Sequence, residues 1–244
     1  MGRFLADLHI HSCLSPCAEI DLTPRAIVKK ALEQGIDIIA ITDHNSMKNI
    51  PAALSCANGT SLTVLTGMEI TTSEEIHVLA LFDSRDFNMG FSDIIYSNLE
   101  DVKNDVEHFG YQIVVNAVDE ILEFEQRLLI GSTRLNLDQV LELIHINNGI
   151  AIPCHIDKQS FSIISQLGFI PEGLPVEAIE VSKNVQAKDM ERFSNKYGIP
   201  VVSFSDTHFL SDFGSRLTEF EINAPTFDEI KRVFTDRLVQ QRII

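Results

Sequence analysis

Residues 36–44 read IDIIAITDH, a run without regular polar alternation until it ends in Thr-Asp-His. A strand with one wet face alternates apolar and polar side chains, whereas one covered on both faces reads as continuous apolar sequence. The run therefore predicts a parallel strand inside an α/β fold. Upstream, Thr23-Pro24 reads as an N-cap with proline at the first helical position, opening a helix to about Gln34 that Gly35 closes. Residues 4–10 form the strand before it. Downstream, a helix over 46–57 precedes SLTVLTGMEI and EIHVLALF, two strand-like runs separated by the short TTSE.

The alternation resumes with a helix over 136–148 and the strand GIAIPCH. A helix over 159–167, the strand VEAIEVS, a helix over 187–197 and the strand IPVVSFSDTH follow, and a last strand and helix lie near LTEFEINAPTFDEIKRVF. Six or seven βα units imply a parallel sheet with helices outside, closed or nearly closed into a barrel; a doubly wound open sheet is the rival. Residues 84–135 break the rhythm. They are rich in acidic and polar positions and read mostly as helix, which predicts a helical insertion or lid within a single domain spanning 1–244. Plain continuation of the barrel is the alternative.

The formal net charge of −16 opposes non-specific binding to nucleic acid or anionic membrane, which basic surface drives. It does not oppose a small phosphorylated substrate held through metal ions. The apolar fraction of 45% is ordinary for a packed core. No apolar run approaches the roughly 20 residues of a membrane helix. MGRFLADLHIH lacks a cleavable signal pattern, so a soluble cytoplasmic protein is expected. Four cysteines are too few and scattered for a disulfide framework. Cys13, Cys56 and Cys154 are expected to pack as small apolar residues, Cys154 on the face opposite His155 if the strand persists.

Residues 6–17, ADLHIHSCLSPC, place His9 and His11 two apart on the first strand, so both imidazoles point to one spot. Other strand ends bring similar chemistry. Asp43-His44 closes IDIIAI, Glu69 closes SLTVLTGM, His155 closes IAIPC, and Asp206 with His208 closes VVSFS, while His77 lies early in its strand and approaches from another direction. Six of the eight histidines fall at or beside predicted strand ends, leaving His108 and His145 on helical patterns. Taken singly, each histidine reads as a hydrogen-bonded rim residue, and Asp43 or Glu69 as a helix cap. Gathered at one barrel mouth without a cation, they would leave like charges and unpaired polar groups in a poorly solvated place. Imidazole with carboxylate suits Zn²⁺, Mn²⁺ or Fe²⁺, and so large a set implies two or three ions.

DLHIHS, ITDHN, GMEI, EIHVLAL, PCHID and FSDTH, in this order, resemble the polymerase and histidinol phosphatase (PHP) superfamily over about residues 4–210. The resemblance implies a distorted (β/α)7 barrel with a di- or trinuclear metal centre that hydrolyses phosphate esters. Carried over by position, His9 and His11 bind one metal with Glu69 and Asp206, and Glu69 bridges to a second held by His77 and His155. His44 and His208 hold a third with a ligand from the loop after strand one. There this chain departs from the pattern, offering Ser15-Pro16-Cys17 with Glu19 and Asp21 beyond, so that Cys17 is the candidate thiolate. The resemblance favours a stand-alone phosphoesterase acting on a nucleotide or short oligonucleotide through a metal-activated hydroxide.

Asp206, His208 and Glu69 are the candidate catalytic residues, with Asp206 or His208 moving protons. Arg134 and Lys158 are the first candidates for the substrate phosphate, ahead of Lys183 and Arg216. A histidinol-phosphate phosphatase shares the same metal logic. A metal-dependent amidohydrolase also begins with HxH on strand one, but usually adds a lysine at a strand end and a lone late aspartate. The remaining alternative is a non-catalytic metal-binding module.

Overall fold

The computed structural model describes residues 1–87, 89–236 and 242–243. β1 (Gly2–Ile10) leads through a long loop to α1 (Pro24–Gln34). The Thr23 side chain accepts the Ala26 amide at 3.2 Å, and Gly35 ends the helix at φ 68°, so both helix signals act as read. β2 (Ile38–Ile41) follows, then α2 (Ile50–Ala57), β3 (Thr63–Thr71) and β4 (His77–Phe82). α2 begins later than the expected 46–57 because Pro51 is tolerated only in a first turn.

After β4 come α3 (Gly90–Asn98), α4 (Val106–Phe109), and a hairpin of β5 (Ile113–Val115) and β6 (Ile121–Phe124). The segment 84–135 is therefore mixed and largely irregular rather than mostly helical. α5 (Leu137–Ile146), β7 (Ile150–Pro153), α6 (Ile163–Leu167), β8 (Ile179–Glu180), α7 (Ala187–Tyr197) and β9 (Val201–Val202) restore the alternation. β10 (Thr218–Ile222), α8 (Phe227–Thr235) and β11 (Arg242–Ile243) complete the described chain.

The main sheet runs β11-β10-β1-β2-β3-β4-β7 and curls into an incomplete barrel. β8 and β9 continue the wall as a parallel pair. They join β7 through Ile156 N–H to the Glu180 carbonyl at 2.9 Å, and β1 through His11 N–H to the Thr207 carbonyl at 3.1 Å. The expected all-parallel sheet needs correction. β1–β2 and β2–β3 are parallel, whereas β3–β4, β4–β7 and β1–β10 are antiparallel. Residues 72–76 are too few for a crossover, so β4 can only fold back on β3 as a hairpin. That reversal carries His77, the first residue of β4, to the end of the barrel where β1, β2 and β3 finish.

The central strands are buried on both faces. Ile39, Ile41 and Val64 pack outward with Ile27 of α1 and Val140 of α5, while Ile38, Ala40 and Leu65 pack inward with Phe204, Phe220 and Ile230 of α8. A fully buried aliphatic side chain contributes about 1.5–3 kcal/mol. Apolar packing thus holds the lower barrel, and the polar residues at the upper rim are free for chemistry. Gly149 shows how tight the packing is: a Cβ there would lie 2.6 Å from Phe82 Cε1 and 2.7 Å from Ile144 Cγ2. Gly149→Ala is expected to cost about 1–3 kcal/mol and lower Tm by several degrees, far from the rim. A calorimetric scan matching the parent protein would contradict this packing.

The segment 84–135 adds no strand to the main sheet and packs on the rim loops. Ile113 N–H bonds the Cys13 carbonyl, Asn45 Nδ2 donates to the carbonyls of Leu129 and Gly131, and Thr133 N–H bonds the Thr71 carbonyl. Among the described residues no helix is long and apolar enough to cross a membrane.

Candidate metal centre

Glu69 is the hub of the rim. It lies inside β3 and is almost fully buried, yet five imidazoles face its two oxygens. Oε1 lies 2.8 Å from His77 Nδ1 and 3.4 Å from both His9 Nε2 and His155 Nε2; Oε2 lies 3.2 Å from His11 Nε2 and from His44 Nδ1. Asp206 Oδ1 stands 3.5 Å from His9 Nε2, 3.6 Å from His11 Nε2 and 3.5 Å from His208 Nδ1. The pairing of β1 with β2 slips between Asp7 and Ile10, a bulge beside which His9 and His11 stand with ring centroids 5.3 Å apart.

Cys17 joins this group: its sulfur and nitrogens of His11, His44 and His208 lie within 4.8 Å of one another. Cys154 behaves differently from expectation. The strand ends at Pro153 and His155 takes φ 30°, so alternation fails, and the Cys154 sulfur comes within 4.8 Å of ligand atoms of His9 and Glu69. Lys158 Nζ meets Asp206 Oδ2 at 2.5 Å, which places this candidate cation at the centre. The Arg134 side chain is exposed and meets no partner among the described residues. Lys183 instead pairs with Asp212 at 3.2 Å, and Arg216 is bonded to Ser203 and the Val185 carbonyl.

Asp43 neither caps α2 nor faces the cluster. It accepts the Ser12 amide at 2.7 Å and hydroxyls from Ser12 and Ser15 at 2.6 and 2.7 Å, fixing the loop after β1. Ser15 in turn meets His11 Nδ1 at 3.0 Å. Glu180, which sequence reasoning passed over, is buried behind His9 and holds its Nδ1 at 3.0 Å while accepting the His155 amide at 3.2 Å. The signal was present: VEAIEVS buries a carboxylate in an apolar run, as TGMEI does. A carboxylate behind an imidazole fixes tautomer and ring orientation, the usual outer support of a metal-binding histidine.

The electrostatics show what the cluster lacks. Burial favours neutral imidazoles, but Glu180, Asp206 and Glu69 hold His9 well above its ordinary range, and Asp206 with Glu69 brings His11 up to about 9. Burial, reinforced by His11, pushes His208 down to about 4 and His44 well below its ordinary range. Glu69 and Asp206 resist burial and stay well below the usual carboxylate range, because His77 and His9 face the first and His9 and His11 the second. Burial, followed by the charge of Glu69, pushes the Cys17 and Cys154 thiols well up.

Several buried atoms of the cluster nevertheless have no hydrogen bond of good geometry: His9 Nε2, His11 Nε2, His44 Nδ1, both His77 nitrogens, His155 Nδ1 and Glu69 Oε1. Buried lone pairs are normally satisfied, and converging imidazole and carboxylate donors fit divalent transition-metal ions. Four of the seven non-glycine residues with positive φ, namely Asn45, His155, Phe161 and Asp206, cluster at this rim, where strain marks functional sites.

The 5′-3′ exoribonuclease Rnm of Salmonella typhimurium is 38% identical over 80 residues, covering 31% of this chain and 26% of its own length. The chain therefore spans about a quarter of that relative's length. Among solved structures, the lesion-specific endonuclease PfuEndoQ from Pyrococcus furiosus superposes with TM-score 0.70 at 16% identity, covering 99% of this chain and 58% of that one. An amidohydrolase from Chromobacterium violaceum with bound sulfate gives 0.63 at 17% identity, covering 98% and 97%. Both share the fold, so only the site can separate their chemistries. The PHP domain family matches residues 7–166, with the PHP-associated family at 187–237, and the chain belongs to the PHP family.

Proposed function

We propose that this protein is a metal-dependent phosphoesterase that hydrolyses the phosphate ester of a nucleotide or of a short oligonucleotide end. The observation that carries this reading is the convergence of six imidazoles, Glu69 and Asp206 on one point, with a lysine beside Asp206. His9, His11, Glu69 and Asp206 would hold a first ion, Glu69, His77 and His155 a second, and His44, His208 and Cys17 a third. Bound there, divalent ions supply charge for the phosphoryl oxygens and a water acidified toward neutral pH.

The chain's own residues do the rest. Lys158 orients an anionic group toward Asp206, which favours a phosphate over a neutral amide. Glu180 holds the His9 ring, and Ser15 the His11 ring, in one orientation. His208, kept neutral by burial down to about 4, keeps its lone pair free for a cation near neutral pH, and Asp206 beside it supplies negative charge at the same point. The segment 84–135 walls one side of the rim and limits how much polymer can enter. The exoribonuclease and endonuclease relatives favour nucleotide esters, while the net charge of −16 disfavours a long polyanion.

The test is release of phosphate, or of mononucleotide from the oligonucleotides, by Mn²⁺-loaded protein from nucleoside monophosphates, 3′,5′-bisphosphonucleotides, short oligonucleotides and histidinol phosphate. Release from a nucleotide class is expected, falling to background in Asp206→Ala. Amide hydrolysis without phosphate release, or no release from any ester, overturns the reading.

A further inference from the structure

The loop after β7, residues 154–162, delivers three different groups to the centre. His155 faces Glu69, Lys158 reaches Asp206, and Phe161 lays its ring over His77 with centroids 4.7 Å apart and planes 20° from parallel. Phe161 has φ 55°, a conformation that a bulky side chain rarely adopts. The turn is clamped on both sides: the Phe161 carbonyl accepts the His77 amide at 3.0 Å, and Ser162 opens α6 in a reciprocal cap with Ser165. With one face against His77, the residue still has 41% of its surface exposed. Neither burial nor backbone preference accounts for an aromatic ring here.

Its position does. The ring is one imidazole removed from Glu69, and the same loop holds an ammonium beside Asp206. A flat apolar face and a cation on one loop match the two ends of a nucleotide. We infer that Phe161 is a positioning residue that stacks the base of the nucleotide carrying the scissile phosphate, an inference that rests on the phosphoesterase reading. A base inside a duplex has both faces stacked on its neighbours, so the substrate is a free nucleotide or an unpaired terminal one. Phe209, next to His208 and 49% exposed, stacks on no histidine among the described residues and serves as the comparison.

The chain contains no tryptophan, so Phe161→Trp introduces a single indole reporter. Zinc-loaded Phe161→Trp protein is titrated with the phosphonate analogues of adenosine 5′-monophosphate and ribose 5-phosphate, neither of which releases phosphate. The adenosine compound is expected to quench the emission and the ribose compound to leave it unchanged, with Phe209→Trp insensitive to both. In turnover, Phe161→Ala is expected to raise KM for the nucleotide between about 5-fold and 150-fold, the range of base–aromatic stacking. KM for ribose 5-phosphate and kcat stay as in the parent, and Phe161→Tyr restores the nucleotide KM. Unchanged emission at saturation, or equal losses on both esters, overturns the stacking role and leaves Phe161 a support for His77. Quenching by the adenosine compound without hydrolysis of any ester sustains the stacking site and removes the phosphoesterase reading instead.

Discussion

Glu69→Gln is expected to lower phosphate release by about 1,000-fold or more and to reduce the number of metal ions retained after gel filtration, because one side chain faces five imidazoles. Glutamine keeps the shape of the carboxylate and removes its charge, and its amide nitrogen would point a donor where a ligand atom is needed. No other residue replaces it. Asp206 reaches His9, His11 and His208 but not His77 or His155 in ion-pair contact. The same substitution removes one of the two carboxylates that raise the proton affinity of His11 and one of the three that raise that of His9, so the metal-free variant loses buried charge pairing worth about 3–5 kcal/mol. Metal content by elemental analysis and phosphate release at saturating Mn²⁺ together check the expectation. A variant that keeps all its metal and most of its activity would show that Glu69 is structural and that the centre is organised around Asp206.

Much of this centre was legible because its chemistry sits where apolar strands stop. In HIH, TDH, PCH and SDTH the polar residues follow a buried run directly, and a parallel strand's end is where an α/β fold opens to solvent. Local sequence could not show contacts made across the barrel. Glu180 is 171 positions from the His9 ring it orients, and nothing in VEAIEVS names its partner. The opposite-face expectation for Cys154 holds only while the strand continues, and the strand stops at Pro153, where the left-handed turn at His155 has no glycine to announce it. The antiparallel β3–β4 pair was legible in principle from the brevity of TTSE. The segment 84–135 was harder: beyond Phe91 and Ile95 of α3, which enter the main core, it is held by hydrogen bonds to rim loops at Cys13, Asn45 and Thr71 and by Leu99, Val114 and Leu129 against Leu14, contacts that follow no single period.

Stripped of metal, the protein is expected to lose about 3 kcal/mol of stability as pH rises from 6.5 to above 9, a loss that metal loading abolishes. The sign follows from His11. Its folded value, about 9, lies above the ordinary 6.5 of an unfolded histidine, so the folded chain binds this proton more tightly. The stabilisation is complete below 6.5 and disappears as pH climbs through about 9. His9, also raised, acts in the same direction. Asp7, whose carboxyl burial raises to about 7, completes its own loss mostly below that window. His208 acts on the other side: its folded value of about 4 makes the unfolded chain the better proton acceptor, so its contribution is present above 6.5 and is lost as pH falls toward 4. A bound cation takes the place of the protons on His9 and His11, so metal uptake at pH 7 must release protons, and tighter uptake at higher pH follows. Urea denaturation of chelator-treated and zinc-loaded protein at pH 6.5, 8 and 9.5, with calorimetric titration of zinc in buffers of different ionisation enthalpy, measures both effects. Stability of the metal-free protein that stays level between pH 6.5 and 9.5, or zinc binding without proton release, would mean that the imidazoles around Glu69 are already neutral before the metal arrives; His11→Asn is expected to diminish the alkaline loss, with His9 supplying the remainder.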